Sequence, residues 1–119
     1  MLRSVDYHGL RAVEFSKGDY TALLIPAMGA NLIRLADTRR GVEVLHTPAA
    51  EEIETFLRRP QIFGTPILFP PNRIADGRYT FEGRTYRYPI TIEKEHNYHH
   101  GILKSQPFQV SKAVETDDE

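Results

Sequence analysis

The chain has 119 residues, a length that allows one domain at most. Its formal net charge is −1, which argues against a general nucleic-acid binder, because such proteins need a basic excess to displace counterions from phosphates. The sequence contains no cysteine, so disulfide bonds and cysteine-ligated metal sites are excluded.

The N-terminal segment, Met1 to Leu10, mixes polar and charged residues and lacks the apolar stretch and small-residue cleavage site of a signal peptide. The longest apolar runs are far too short to span a bilayer. With the net charge near zero, the sequence also gives no reason to expect binding to an anionic membrane surface. These features predict a soluble, cytoplasmic protein.

Two strands and a turn are predicted between Ala12 and Asp37. The first strand includes Thr21–Ile25, which is apolar and partly β-branched, and the second runs from Asn31 to Ala36. Proline and glycine between them indicate a turn or bend. A further short strand is predicted at Val42–Leu45.

One helix is predicted over Thr47–Arg59. Thr47 suits the N-terminal cap, and Pro48 suits the first helical position, where its missing N–H has no cost. Pro60 ends the helix because proline cannot continue the backbone hydrogen bonding.

The best-defined pattern is an aromatic hairpin over Arg78–Tyr88. A four-residue loop would set Phe81 opposite Tyr86, whereas a two-residue loop at Glu82-Gly83 would set Arg84 there instead. The four-residue loop is preferred, because aromatic cross-strand pairs stabilise a hairpin by up to about 1 kcal/mol. Phe108–Val110 predicts a final strand. The pattern as a whole predicts an all-β, mainly antiparallel fold with one short helix.

The segment Gly64–Ile74 brackets an apolar stretch with three prolines and a glycine. Such a segment cannot lie in the middle of a regular sheet, because proline lacks a ladder donor, but it can follow a sheet edge or a cleft wall. Asn72 and Arg73 follow this stiffened backbone. The planar guanidinium of Arg73 could grip vicinal hydroxyls or a ring oxygen. The alternative is an ordinary surface arginine beside a proline-rich loop.

A second segment, Glu95–Gly101, contains three histidines in five residues. It allows three interpretations: a metal site, acid–base or hydrogen-bonding work on a polar ligand, and a surface loop that happens to be rich in histidine. The metal interpretation is disfavoured because no fourth ligand stands nearby at a recognised spacing. If the segment is a strand, His100 and Tyr98 point one way, and His99 and Asn97 the other.

Taken together, these segments resemble the aldose 1-epimerase (galactose mutarotase-like) family over nearly the whole chain. The matching order is a proline-bracketed strand with an arginine, an aromatic hairpin, a His-Gly turn and a proline-aromatic pair. The segments are Ile25–Ala30, Gly64–Ile74, Gly77–Tyr86, His99–Gly101 and Pro107–Phe108.

The resemblance implies a galactose mutarotase-like β-sandwich with an open cleft for a free sugar, of which residues 1–119 form the N-terminal part. It implies interconversion of the α and β anomers of a hexose such as glucose or galactose, by acid–base ring opening and without a metal or organic cofactor. By the same resemblance, Arg73 binds substrate, Asn72 is its neighbour in the site, and His100 is the first active-site histidine.

The family's general-acid His and general-base Glu have no counterpart here and are expected beyond residue 119. A partial sandwich would expose sheet edges, which favour self-association. Two other functions stay open: a non-catalytic carbohydrate-binding protein of the same fold, and a small β-rich interaction domain with incidental histidines.

Overall fold

The computed structural model describes residues 1–116, which fall into two compact units. The first comprises Met1–Ile67 together with the chain from Lys104 onward, and the second is Leu68–Leu103. Mainly antiparallel strands and one short α-helix among the described residues confirm the predicted fold class. None of the helices within residues 1–116 has the length and apolar character needed to cross a membrane.

The first unit is built on a five-stranded antiparallel sheet in which each strand pairs with the next along the chain. Its strands are β1 (Leu2–Tyr7), β2 (Leu10–Lys17), β3 (Tyr20–Ile25), β4 (Asn31–Asp37) and β5 (Val42–Glu43). The strands predicted at Thr21–Ile25 and Asn31–Ala36 are confirmed as β3 and β4. The strand predicted at Val42–Leu45 covers only Val42–Glu43. β1 and β5 are the outer strands, and self-association through such edges stays a prediction.

β1 and its hairpin with β2 were not predicted from the mixed composition of the first residues, whereas most of β2 lies in the region from Ala12 onward where strands were predicted. Tyr7 pairs with Leu10, so His8 and Gly9 form a two-residue loop, and both have positive φ, at 50° and 86°. This is the combination that a tight hairpin turn requires. The usable signal was the alternation of Val5 and Tyr7 with polar neighbours.

Apolar side chains from β2, β3 and β4 form the core with two phenylalanines that follow the sheet in sequence. The rings of Phe56 and Phe63 meet edge-on with centroids 5.8 Å apart. Both are buried, and full burial of such a side chain contributes about 1.5–3 kcal/mol. The buried cluster consists of Ala12, Leu23, Ile25, Ile33, Phe56 and Phe63.

The predicted helix start at Thr47 is wrong. A 3₁₀ turn begins at Ala50 and leads into α1 (Ile53–Arg58), and a second 3₁₀ turn follows at Pro60–Ile62. The cap is made by Glu52, whose carboxylate accepts a hydrogen bond from the Ala49 N–H at 3.0 Å. The carboxylate thus satisfies a donor two residues after the predicted cap, and Thr47 takes no part in the helix.

The second unit contains two antiparallel pairs: β6 (Arg73–Ala75) with β9 (Asn97–His99), and β7 (Arg78–Phe81) with β8 (Arg84–Arg87). The preferred hairpin register is wrong, because Phe81 lies opposite Arg84 across a two-residue loop. Glu82 and Gly83 both have positive φ, at 48° and 75°, as a tight hairpin turn requires.

The observed register still contains a cross-strand pair of aromatic residues. Tyr79 lies opposite Tyr86, and their rings stack with centroids 5.1 Å apart. Tyr88, just after β8, stacks on Tyr98 of β9 at 4.9 Å. The stacked rings therefore link the hairpin to the β6–β9 pair.

Two further predictions concern the segments around these strands. Residues 64–72 contain no regular strand, as their prolines predicted, and Thr65 makes only an isolated bridge with Leu32. The predicted strand at Phe108–Val110 is wrong, since residues 106–116 are irregular. Phe108 donates a backbone hydrogen bond to the Pro26 carbonyl at 2.9 Å without joining a ladder.

Candidate functional site

The ribbon formed by β6 and β9 gathers the three predicted site residues. Arg73 pairs with His99 in the ladder, and beyond it the His100 N–H donates a hydrogen bond to the Asn72 carbonyl at 2.9 Å. The two segments stay together further on, where the Ile102 N–H donates to the Phe69 carbonyl at 3.2 Å. Residues almost thirty positions apart in sequence therefore lie side by side.

Three residues at this end of the ribbon have left-handed backbone conformations. Asn72 has φ 58°, His100 has φ 59° and Gly101 has φ 72°. Asparagine and histidine tolerate this region better than most residues, yet each such position costs on the order of 1–3 kcal/mol and persists only where its surroundings require it. Asn72 and His100 thus both lie in tight turns, and the hydrogen bond between their backbones holds these turns together.

Gly101 is required for close approach as well as for its backbone conformation. A Cβ atom at this position would lie 2.7 Å from the Phe69 nitrogen and closer still to the Phe69 carbonyl. No other residue type fits there unless the backbone moves. The glycine of this turn is thus explained by its close packing against the backbone of Phe69.

The guanidinium of Arg73 is half-exposed and is held from one side. Its Nε donates to the Glu95 carboxylate at 3.3 Å, with about half of each side chain exposed (52% and 51%). Nε is one of five donors, and the terminal amino groups carry the other four. The contact with Glu95 therefore uses only one of these five donors.

The rings of the two adjacent histidines form a close, tilted pair at the end of β9. The ring centroids of His99 and His100 are 3.5 Å apart at an interplanar angle of 38°. The alternation expected of a strand ends at His99, because His100 turns into the left-handed region. The His99 N–H also donates to the Thr91 hydroxyl at 2.9 Å, which fixes the end of the strand.

A family model for aldose 1-epimerase matches residues 11–119 of this chain. The chain belongs to the aldose 1-epimerase family. Its structure is similar to that of a galactose mutarotase-like protein from Clostridium acetobutylicum, with a TM-score of 0.90 and 38% identity over 98% of this chain. It is also 31% identical over 107 residues, 89% of the chain, to the uncharacterized protein YihR of Escherichia coli K12.

The chain spans about a third of the length of these relatives: 36% of the Clostridium protein and 32% of YihR. The match to the family model includes the three predicted site residues, Asn72, Arg73 and His100.

Two polar contacts near the ribbon were not predicted from the sequence. Glu95 was one of many carboxylates with nothing to mark it, yet it contacts Arg73 and also accepts a hydrogen bond from the Asn97 amide at 3.0 Å. The Asn97 hydrogen bond is the main cause that lowers the pKa of Glu95, and the positive charge of Arg73 lowers it further. Glu95 is therefore ionised at neutral pH.

The second missed contact joins the Nδ1 atom of His96 to the Asp76 carboxylate at 2.8 Å, with both side chains well exposed. Asp76 and His96 flank the opposite end of the β6–β9 pair from Asn72 and His100. Within residues 1–116, no group of three or more His, Asp or Glu side chains is placed to hold a metal ion.

Proposed function

We propose that the whole protein is an aldose 1-epimerase-type isomerase that interconverts the α and β anomers of a free hexose, and that this chain supplies part of its sugar-binding site. The observation that carries the proposal is the β6–β9 ribbon. On it, Arg73 lies next to the hydrogen-bonded pair of Asn72 and His100 in a chain of this family. Residues 1–119 are then the N-terminal part of a single β-sandwich domain.

In this proposal Arg73 donates hydrogen bonds to the sugar hydroxyls or ring oxygen, with Asn72 beside it, and His100 contacts the sugar and assists its reaction. A separate carboxylate removes the C1 hydroxyl proton while an imidazolium protonates the ring oxygen. Neither proton transfer is easy alone near pH 7, so an acid and a base act together. Both groups are placed beyond residue 119, and the reaction requires no metal or organic cofactor.

Replacing Arg73 by alanine is expected to raise the Kd for galactose or glucose about 10-fold or more, because it removes hydrogen bonds from a charged donor. Ligand-observed NMR titration of the 119-residue chain measures this change. Arg78→Ala, which removes an arginine from β7 instead, is the matched control and should leave binding unaltered. Equal Kd values for Arg73→Ala and the wild type would show that Arg73 has no role in the sugar site.

The same chain should not accelerate mutarotation by itself. We expect the optical rotation of freshly dissolved α-glucose or α-galactose to relax at the rate of the buffer blank when the chain is added, since the proposed acid and base are elsewhere. Faster relaxation that disappears in His100→Asn would overturn this placement of the acid–base groups. It would instead make His100 and its neighbours sufficient for the reaction.

A further inference from the structure

Glu95 lies at a position from which it can control the orientation of Arg73. It closes a short 3₁₀ turn, Glu93–Glu95, and the chain then bends through His96, which has φ 48°, into β9. One carboxylate oxygen, Oε2, accepts hydrogen bonds from both the Arg73 Nε, at 3.3 Å, and the Asn97 amide, at 3.0 Å. The carboxylate therefore bridges β6 and β9.

The bridge is anchored in the interior by Asn97, which is 6% exposed. Its backbone is paired with Ile92 and Thr91, so the side chain is not needed to complete the turn. The Asn97 Oδ1 atom is buried and has no hydrogen-bond partner among residues 1–116, which costs free energy. The Asn97 Nδ2 group, in contrast, has a partner, because it donates to the Glu95 carboxylate.

The contact between Glu95 and Arg73 is not explained by stability. Both side chains are about half exposed, and ion pairs of this kind contribute little to folding because water screens them. The contact instead restricts the orientation of the Arg73 guanidinium. In a planar guanidinium the Nε–H and one terminal N–H point the same way, so a carboxylate fixed at Nε sets the plane of the group and leaves the other terminal N–H donors directed elsewhere.

We propose that Glu95 is a positioning residue that fixes the Arg73 guanidinium for sugar binding, with Asn97 holding Glu95 in place. The inference rests on the proposed function, since it concerns how Arg73 meets a hexose. Glu95 itself does not touch the sugar.

Its test combines three variants of the 119-residue chain with galactose as the probe. Glu95→Ala is expected to weaken galactose binding about 5- to 10-fold, because the arginine loses its fixed orientation. Glu95→Gln keeps an acceptor oxygen without the charge and should recover part of the affinity. Glu93→Ala removes a carboxylate from the same turn and should bind like the wild type.

Two further readouts separate positioning from a structural role. The midpoint of urea unfolding should fall only modestly in Glu95→Ala, because the buried Asn97 amide loses its acceptor, and the variant should remain folded under the conditions of the titration. In the sugar-free chain, the Arg73 Nε–H proton should exchange with water faster in Glu95→Ala than in the wild type or Glu93→Ala.

Wild-type affinity in Glu95→Ala would overturn the positioning role while leaving the proposed function intact. Equal losses in Glu93→Ala and Glu95→Ala would also overturn it, since they would show a general effect of charge. If the wild-type chain itself binds neither galactose nor glucose, the proposed sugar site is wrong, and the role of Glu95 falls with it.

Discussion

Replacing Gly101 by alanine is expected to destabilise the fold by about 2–5 kcal/mol and to abolish hexose binding, because two separate costs add. The left-handed backbone, with φ 72°, disfavours any side chain at this position. The new methyl group would also meet the backbone of Phe69, which cannot turn aside as a flexible side chain could. Relief requires the segment after β9 to move away from the proline-rich segment, which separates His100 from Asn72.

Gly83→Ala is the matched control for this prediction. Gly83 also has a positive φ, at 75°, but an added Cβ would meet nothing within 4 Å. It should therefore show the backbone cost alone, about 1–2 kcal/mol. Urea unfolding of the two variants measures the difference. Equal destabilisation by Gly83→Ala and Gly101→Ala would mean that Gly101 and Phe69 are not in close approach.

The second large effect is expected from Asn31→Ala in the first unit, which should destabilise the fold by about 3–5 kcal/mol. Asn31 is 1% exposed, and its amide donates to the carbonyls of Pro60 at 3.2 Å and Phe63 at 3.1 Å. Its Oδ1 accepts from the Thr65 N–H at 2.9 Å. Alanine would leave buried polar groups without these partners and would open a cavity beside them.

Thr47→Val provides the matched control, since it removes a buried polar atom of a different kind. The Thr47 hydroxyl has no hydrogen-bond partner among the described residues, so a valine of similar shape should be neutral or slightly stabilising. Thermal or urea unfolding checks both variants. If Asn31→Ala costs no more than Thr47→Val, Asn31 does not hold the 60–65 segment against the sheet.

Local chemistry was sufficient to predict several elements. β3 and β4 follow from apolar runs separated by proline and glycine, and α1 ends one residue before its predicted limit, ahead of Pro60. The irregular path of residues 64–72 follows from prolines that cannot join a ladder. In each of these cases the deciding groups lie within a few residues of the element.

The wrong predictions arose where another interaction outweighed the local pattern, or where the deciding partner lies far away in sequence. In the hairpin, the positive φ values of Glu82 and Gly83 fixed the register, and the tyrosines found a different aromatic pairing. The helix start depends on the side chain of Glu52 rather than on Thr47. Phe108 makes one backbone bond to a distant carbonyl, which its apolar pattern could not distinguish from a strand.

The candidate site likewise contains residues that the sequence could predict and one residue that it could not. The order of motifs was enough to select Asn72, Arg73 and His100, and their roles stay predictions. The contact of Glu95 with Arg73 spans 22 positions and exists only because β6 pairs with β9. No local pattern marks Glu95 among its neighbouring carboxylates.

The most direct test of a sugar site on the β6–β9 ribbon is an amide NMR titration of the ¹⁵N-labelled chain with galactose and then with glucose. We expect the largest shift changes at Asn72, Arg73 and His99–Gly101, with β1 to β5 unaffected. Absence of changes at those positions, or larger changes on the five-stranded sheet, would contradict a hexose site built on Arg73 and His100.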